Sequence, residues 1–366
     1  MAQAAITLEI LPAGYGDCLL VQCPVGKRTW RLVVDTGPDE RFPQLKARLA
    51  TLPVDAEGKR HIDLFIVTHI DHDHIGGASL LLNDKSLNLS FGDIWFNAPI
   101  PARAARGVAE GVSLAKLLGA KERPLPWNRA FGGQHAVTSG DAGYVEVPVE
   151  RDTPRITLLS PTPDRLTAVF KVWARELEKL SASGRERAAA LPSAMRGPVT
   201  LDIDALAAKS TPVDRAAPNG SSIAVLLEHR GASVLLGADA FAAVLTPALK
   251  ALALQRGISG PLPVDVFKLS HHGSRCNTTR ELLAAVHAQH YVFSTNNTIF
   301  NHPDDETVAR VIKLSGAQAS LWFNYSTARN LRWAELALQA ERGYSAHYPL
   351  ADSLGVTITL PGVGRR

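Results

Sequence analysis

Short apolar runs cut by polar turns set the pattern of the chain. Residues 6–11, 19–23 and 29–34 are runs of strand length, separated by Gly14-Tyr15-Gly16-Asp17 and Pro24-Val25-Gly26. They predict three strands joined by tight turns. Residues 43–52 have helical spacing. Strand and helix then alternate: a strand over 64–67, a helix over 78–82, a strand over 93–97, a helix over 112–118. Residues 121–153 are rich in Gly, Pro and Trp and suggest no regular element. A strand over 156–159 and a helix over 165–180 follow. Residues 181–217, rich in Ala, Ser and Arg with scattered Pro, read as mobile or partly helical, so an insertion is expected over 165–217. A hairpin comes next, 223–228 with 233–237 around His229-Arg230-Gly231. The pattern then gives a helix over 241–254, a strand over 264–269, a helix over 279–288, a strand over 291–294 and a helix over 304–314. Late strands lie at 320–324 and 356–360. Meandering strands that give way to alternation, and recur after the insertion, predict an α/β fold of two mixed sheets with helices on their outer faces.

Four of the apolar runs end in residues able to bind metal or phosphate. Residues 64–67 lead into Thr68-His69-Ile70-Asp71-His72-Asp73-His74-Ile75-Gly76-Gly77. Residues 234–236 lead through Gly237 to Asp239, and 264–269 to Ser270-His271-His272-Gly273-Ser274. Residues 291–294 lead to Asn296 and then Asn301-His302-Pro303. Ligands commonly sit at the carboxyl ends of strands in open sheets. Imidazoles and carboxylates packed this closely repel one another and lose hydration unless a divalent cation takes N and O ligands together.

These residues resemble the metallo-β-lactamase superfamily, whose signature is H-x-H-x-D-H. More narrowly they resemble its ComEC/Rec2-like branch, with H-x-D-x-D-H-x-G-G. His69, Asp71, Asp73, His74, Gly76 and Gly77 match that pattern in register. A frame opening on His72 and His74 would need Asp-His at 76 and 77, which are Gly. Gly14-Tyr15-Gly16-Asp17, Asp35-Thr36-Gly37, Gly237-Ala238-Asp239, His271-His272-Gly273-Ser274 and His302-Pro303 match further marks of the branch. The resemblance implies a four-layer αβ/βα sandwich, here one domain over 1–366, with two divalent cations. His69 and Asp71 would hold the first cation, and Asp73, His74 and His271 the second, with Asp239 bridging. The usual third His of the first site is missing, and Asn219, Ser221 or Ser222 stands in that neighbourhood. That oxygen-rich site admits Mg²⁺ beside Zn²⁺ and Mn²⁺.

Roles around the metals follow from residue chemistry. His302 and His272 are candidate proton donors, because imidazole titrates near neutrality. The duller readings are that His272 orients His271 and that His302 caps the helix starting near residue 304. Asp73 counts with the catalytic group as a ligand. Lys268, Ser274 and Asn296 are candidate substrate contacts, Lys268 through a phosphate oxygen; its alternative is a solvated strand residue. Asp35 and Asn219 support the ligands, and His72 points away from the metals.

Composition narrows this little. The 366 residues are 46% hydrophobic and carry a formal charge of +4, compatible with a polyanionic substrate such as nucleic acid. Three cysteines cannot pair fully, and the start shows no signal-peptide pattern, so a cytoplasmic protein without membrane anchoring is expected. The resemblance favours a phosphodiesterase, foremost a nuclease, and soluble relatives beside defence genes imply an effector with a partner protein. Two alternatives stay open: a hydrolase of a lactone, thioester or cyclic nucleotide, and a non-enzymatic metal-binding protein.

Overall fold

A computed structural model describes residues 4–99, 109–122, 124–139, 143–148, 150, 152–180, 201–316, 318–351 and 353–362. The first half contributes β1 (Ala4–Ile10), β2 (Leu19–Val25), β3 (Arg28–Val34), α1 (Phe42–Ala50), β4 (Arg60–Ile66), α2 (His72–Ile75), α3 (Ala78–Asn83), β5 (Leu89–Trp95) and α4 (Ala109–Leu118). Then come β6 (Val145–Val147), β7 (Arg155–Ser160), α5 (Pro163–Leu180), α6 (Ile203–Ala208), α7 (Ala217–Gly220), β8 (Ala224–His229) and β9 (Ala232–Leu236). The last part is α8 (Ala242–Gln255), β10 (Leu262–Lys268), α9 (Arg280–Leu283), β11 (Val286–Phe293), α10 (Asp305–Leu314), β12 (Ala319–Phe323), α11 (Leu336–Arg342), β13 (Tyr344–His347) and β14 (Val356–Pro361).

The strands form two mixed sheets, ordered β14-β1-β2-β3-β4-β5 and β13-β12-β11-β10-β9-β8-β7-β6. In each, an antiparallel meander passes into parallel strands: β3, β4 and β5 in one, β9 to β13 in the other. The β8–β9 hairpin closes through Arg230 (φ 50°) and Gly231 (φ 83°), the two positive-φ positions that a type I′ turn requires. Leu8, Val34 and Ile66 of the first sheet pack against Val234, Val266 and Val292 of the second. The outer face of the first sheet buries Val33 and Phe65 against Leu81, Leu114 and Trp173 of α3, α4 and α5. That of the second buries Leu226 and Phe267 against Leu249 and Val308 of α8 and α10. Four layers result, and the parallel strands of both sheets release their loops at one edge. Among the described residues no helix is long and apolar enough to cross a membrane.

Three expectations need correction. The helix expected over 279–288 stops at Leu283, with Thr279 capping Leu282 N–H at 3.2 Å. From Val286 the chain pairs with β10, burying Val286 and Ala288 and exposing His287 and Gln289. Sheet pairing from Val286 ends the helix that Arg280 to Leu283 begin. The strand β13 and the short β6 gave no clear sequence signal. Of the expected insertion, residues 165–180 form α5 and 181–200 lie outside the described residues. Residues 201–217 are built in: Ile203 and Ala207 join the core against α10, and buried Arg310 donates to Lys209 O at 2.9 Å.

Candidate metal centre

After β4 the chain stays extended to Asp71 (φ −71°, ψ 140°), the N-cap of α2. Residues two apart in extended chain share a side, so His69 and Asp71 point one way. Asp73 and His74 follow on the short helix. His72 faces outward, 3.0 Å from Glu110 and 3.4 Å from Asp39. Asp239 arrives after β9 through Ala238, at φ 44°. His271 and His272 follow β10, both left-handed at φ 51° and 53°. Such backbone is costly for non-glycine residues and persists where the surroundings impose it.

The two oxygens of buried Asp239 divide the cluster. On the Oδ2 side lie His69 Nε2 at 3.9 Å and His271 Nε2 at 3.7 Å, with Asp71 Oδ2 3.5 Å from His69. On the Oδ1 side lie His74 Nε2 at 3.4 Å and His272 Nε2 at 3.9 Å. Asp73 Oδ2 completes that side, 3.2 Å from His272 and 3.7 Å from His74. This corrects the expected ligand sets. His272, not His271, faces Asp73 and His74, while His271 sits where the first set lacked a third imidazole.

Every imidazole is anchored through Nδ1 and turned inward by Nε2. His74 Nδ1 meets Asp35 at 2.7 Å, and His69 Nδ1 meets Thr68 Oγ1 at 3.0 Å, whose hydroxyl donates to Asp35 at 2.8 Å. His272 Nδ1 reaches Ser294 O at 2.9 Å, and His271 Nδ1 reaches Asn277 Oδ1 at 3.0 Å. Such partners orient metal ligands and fix their tautomers. The Nε2 atoms of His69 and His74, and Asp239 Oδ1, are buried without a hydrogen-bond partner. Orphaned buried acceptors are costly, and cations on the two sides of Asp239 would satisfy them, His69 on one side and His74 with Asp239 Oδ1 on the other. The donors therefore fit a pair of divalent metals.

The field agrees. Burial opposes charge on His74, but Asp239, Asp73 and Asp35 outweigh it and raise its pKa well above the usual value. Burial likewise opposes charge on His272, yet Asp17 and Asp239 push it up to about 9. Asp239 is held well below the carboxylate range, as His74, His271 and His272 overcome its burial. Near pH 7 the cation-free cluster thus holds protons that a metal must displace. Metal uptake at pH 7 should release protons, and affinity should weaken as pH falls below about 9. Calorimetric titration in buffers of different ionisation enthalpy reads the release; buffer-independent heats would contradict it.

Other expected residues fall differently. Asp35 and Asn219 stand behind the imidazoles, Asn219 Nδ2 lying 3.3 Å from His271 Nδ1. Lys268 is no substrate contact: it is fully buried and its ammonium is bound by Asp17. Ser274 is also buried, and its N–H closes a turn on His271 O at 2.7 Å. Asn296 is half-buried; its N–H donates to Gly14 O and its Oδ1 accepts from Thr298. His302 lies beside His271, ring centroids 5.1 Å apart. Burial, then His271 and His272, push its pKa down to about 3, which favours the neutral ring near pH 7. It does not cap α10 either, whose N-cap is Asp304.

Sequence reasoning missed Asp214, 3.5 Å from His271 Nδ1 and bonded to Asn219 and Asn277. It lies in a segment without a motif. Gly16 has a steric role: a Cβ there would stand 1.8 Å from Asp73 O. Gly16→Ala should displace the Asp73 loop, costing about 1–3 kcal/mol in chemical unfolding and lowering bound metal. Unchanged stability and metal content would refute that reading.

Residues 11–89, which carry Asp35, His69, Asp71, Asp73 and His74, match the metallo-beta-lactamase superfamily model. That match covers less than a quarter of the chain, and the two mixed sheets flanked by helices are consistent with the metallo-β-lactamase fold. No curated protein matches the sequence. Among solved structures, the chain is similar to a CmlA beta-hydroxylase mutant, at 14% identity and TM-score 0.42, over 98% of this chain and 55% of that one. It thus spans about half of that protein's length. Zn²⁺-bound PqqB from Methylobacterium extorquens aligns at 12% identity and TM-score 0.42, over 97% of this chain and all of PqqB. A diphosphatase of the PhnP family aligns at 12% identity and TM-score 0.35, over 96% of this chain and 97% of that one.

Proposed function

We propose that the protein is a metal-dependent hydrolase of phosphodiesters, foremost those of nucleic acid. The observation that carries the hydrolase reading is the shared Asp239 carboxylate, with two inward-turned imidazoles on each of its oxygens. His69, Asp71, Asp239 and His271 would hold one cation, and Asp73, His74, Asp239 and His272 the other. Bound there, two divalent cations supply Lewis acidity and an acidified water. With His271 on the Oδ2 side, neither position is oxygen-rich, which favours Zn²⁺ or Mn²⁺ over Mg²⁺.

The chain's own groups divide the work. His74 and His272 are fully buried, whereas the side chains of Asp71 and His271 are 41% and 21% exposed. The Oδ2 side therefore opens to substrate and the Oδ1 side is closed. His302, neutral on the open rim, positions a substrate group by hydrogen bonding.

The H-x-D-x-D-H-x-G-G register and the net charge of +4 support a polyanionic substrate. By its ComEC/Rec2-like motifs the protein would act as a nuclease effector beside a defence-system partner. A small substrate such as a lactone, thioester or cyclic nucleotide is the second reading, which the modest size of that charge leaves open.

The test is a panel of plasmid, single-stranded DNA, RNA, bis-p-nitrophenyl phosphate and a lactone, each with Zn²⁺, Mn²⁺ or EDTA. Phosphodiester cleavage with Zn²⁺ or Mn²⁺, abolished by EDTA, is expected. Nucleic acid binding should weaken with salt at a log–log slope of about −0.7 to −0.9 per phosphate contacted. Lactone turnover without cleavage of any DNA or RNA would overturn the proposal.

A further inference from the structure

Phe300 is 54% exposed at the rim of the metal cluster. Single exposed apolar side chains are common and by themselves mean little. Three features set this ring apart. First, it is near-parallel to His302, with centroids 6.1 Å apart and planes at 23°. His302 in turn meets His271 at 5.1 Å, so a file of rings runs from solvent to a proposed ligand. Second, Tyr15, from the loop between β1 and β2, sets its ring against Phe300 at 6.5 Å and 71°. That loop also holds Gly16 against Asp73, so both walls of the ledge are tied to the cluster.

Third, the loop that carries Phe300 is pinned. Asn297 Nδ2 donates to His302 O and to Asn330 Oδ1, and Thr327 donates to Asn297 Oδ1. Asn296 N–H donates to Gly14 O at 2.8 Å, locking the loop to the one bearing Tyr15. An apolar ring fixed in the open by a polar loop offers its face to something flat. With the phosphodiester at the open side of Asp239, a flanking nucleobase lies within reach of that face. Base–aromatic stacking is strong and tolerant of base identity.

We infer that Phe300, backed by His302 and Tyr15, is a stacking ledge for an unpaired nucleobase next to the scissile phosphate. Its substrate is then single-stranded or locally unpaired nucleic acid. This inference rests on the phosphodiesterase reading. Duplex DNA keeps its bases stacked on one another and gains nothing from the ledge.

Two readouts separate this inference from the reading beneath it. One is the ratio of cleavage rates for a single-stranded oligonucleotide and its counterpart with one abasic position, moved along the strand. The other is quenching of 2-aminopurine in the same strand on binding, with EDTA present so that the strand is not cut. The wild type should favour the intact strand on the order of tenfold at one position and quench the probe there. Phe300→Ala should bring the ratio towards one and lose the quenching, while Phe300→Trp keeps both; bound metal per chain checks that Phe300→Ala is folded. Cleavage with a ratio and quenching indifferent to Phe300→Ala overturns the ledge and leaves the phosphodiesterase standing. Phe300-dependent quenching without cleavage sinks the phosphodiesterase and keeps the ledge as a binding site. Neither signal sinks both.

Discussion

Replacing His271 and replacing His272 should empty different metal positions. His271→Ala removes an imidazole from the Oδ2 side of Asp239, and His272→Ala one from the Oδ1 side. Each variant should fall from about two cations per chain towards one. The pairing of losses decides the assignment. Asp71→Ala combined with His271→Ala should lose no more metal than either change alone, since both groups serve one position. Asp71→Ala combined with His272→Ala should lose both cations, and activity with them. Elemental analysis after dialysis reads this directly, and groups that share a position are expected to be non-additive. If instead Asp71→Ala combined with His271→Ala loses both cations while His272→Ala alone keeps both, the ligand sets are those expected from the sequence and the division at Asp239 is wrong. Asp214→Ala should weaken only the Oδ2-side cation, on the order of 10–100-fold, because it acts through the orientation of His271.

The exchange of His271 and His272 marks where sequence reading stops. Register settles Asp71 against His72, because extended chain alternates sides and only one frame leaves glycines at 76 and 77. Nothing similar separates two adjacent histidines. Their directions depend on left-handed backbone at both positions, imposed by contacts such as Ser294 O on His272 and Asn277 on His271. Those partners come from elsewhere in the chain. Asp214 was hidden for the same reason, in a segment whose composition suggested mobility.

The layer architecture was easier to read, since runs of apolar residues bounded by turns show where strands begin and end. The failure at 279–288 arose because Glu281 to Ala285 favours a helix locally and only pairing with β10 shows that a strand has begun. Lys268 had a signal that went unused. It shares strand parity with Val266, which packs between the sheets. A lysine on that face must find a buried acid, and Asp17 in the Gly-rich turn is that acid.

Lys268→Met should therefore damage stability rather than substrate binding. Lys268 and Asp17 are both buried, and Asp17 also lies 3.3 Å from His272 Nδ1. Removing one member of a buried pair strands the other charge, at a cost of about 3–5 kcal/mol. Asp17→Asn added to Lys268→Met should recover part of this, because no buried charge is then left unpaired. The pH dependence has a definite sign. Burial alone would raise the Asp17 pKa, but Lys268 and then His272 outweigh it and hold it well below the usual carboxylate range. A depressed carboxylate contributes stability that is complete above its unfolded pKa, about 3.9, and is lost as pH falls further. The wild type should lose this contribution below about pH 4. In Lys268→Met the carboxylate takes up its proton more readily, so the stability gap to the wild type should narrow on acidification. Denaturant unfolding at pH 7 and in acid measures both. A Lys268→Met protein of full stability that binds oligonucleotides poorly would return Lys268 to the role of phosphate contact; a destabilised one whose residual folded fraction binds normally places it in the scaffold beneath His272.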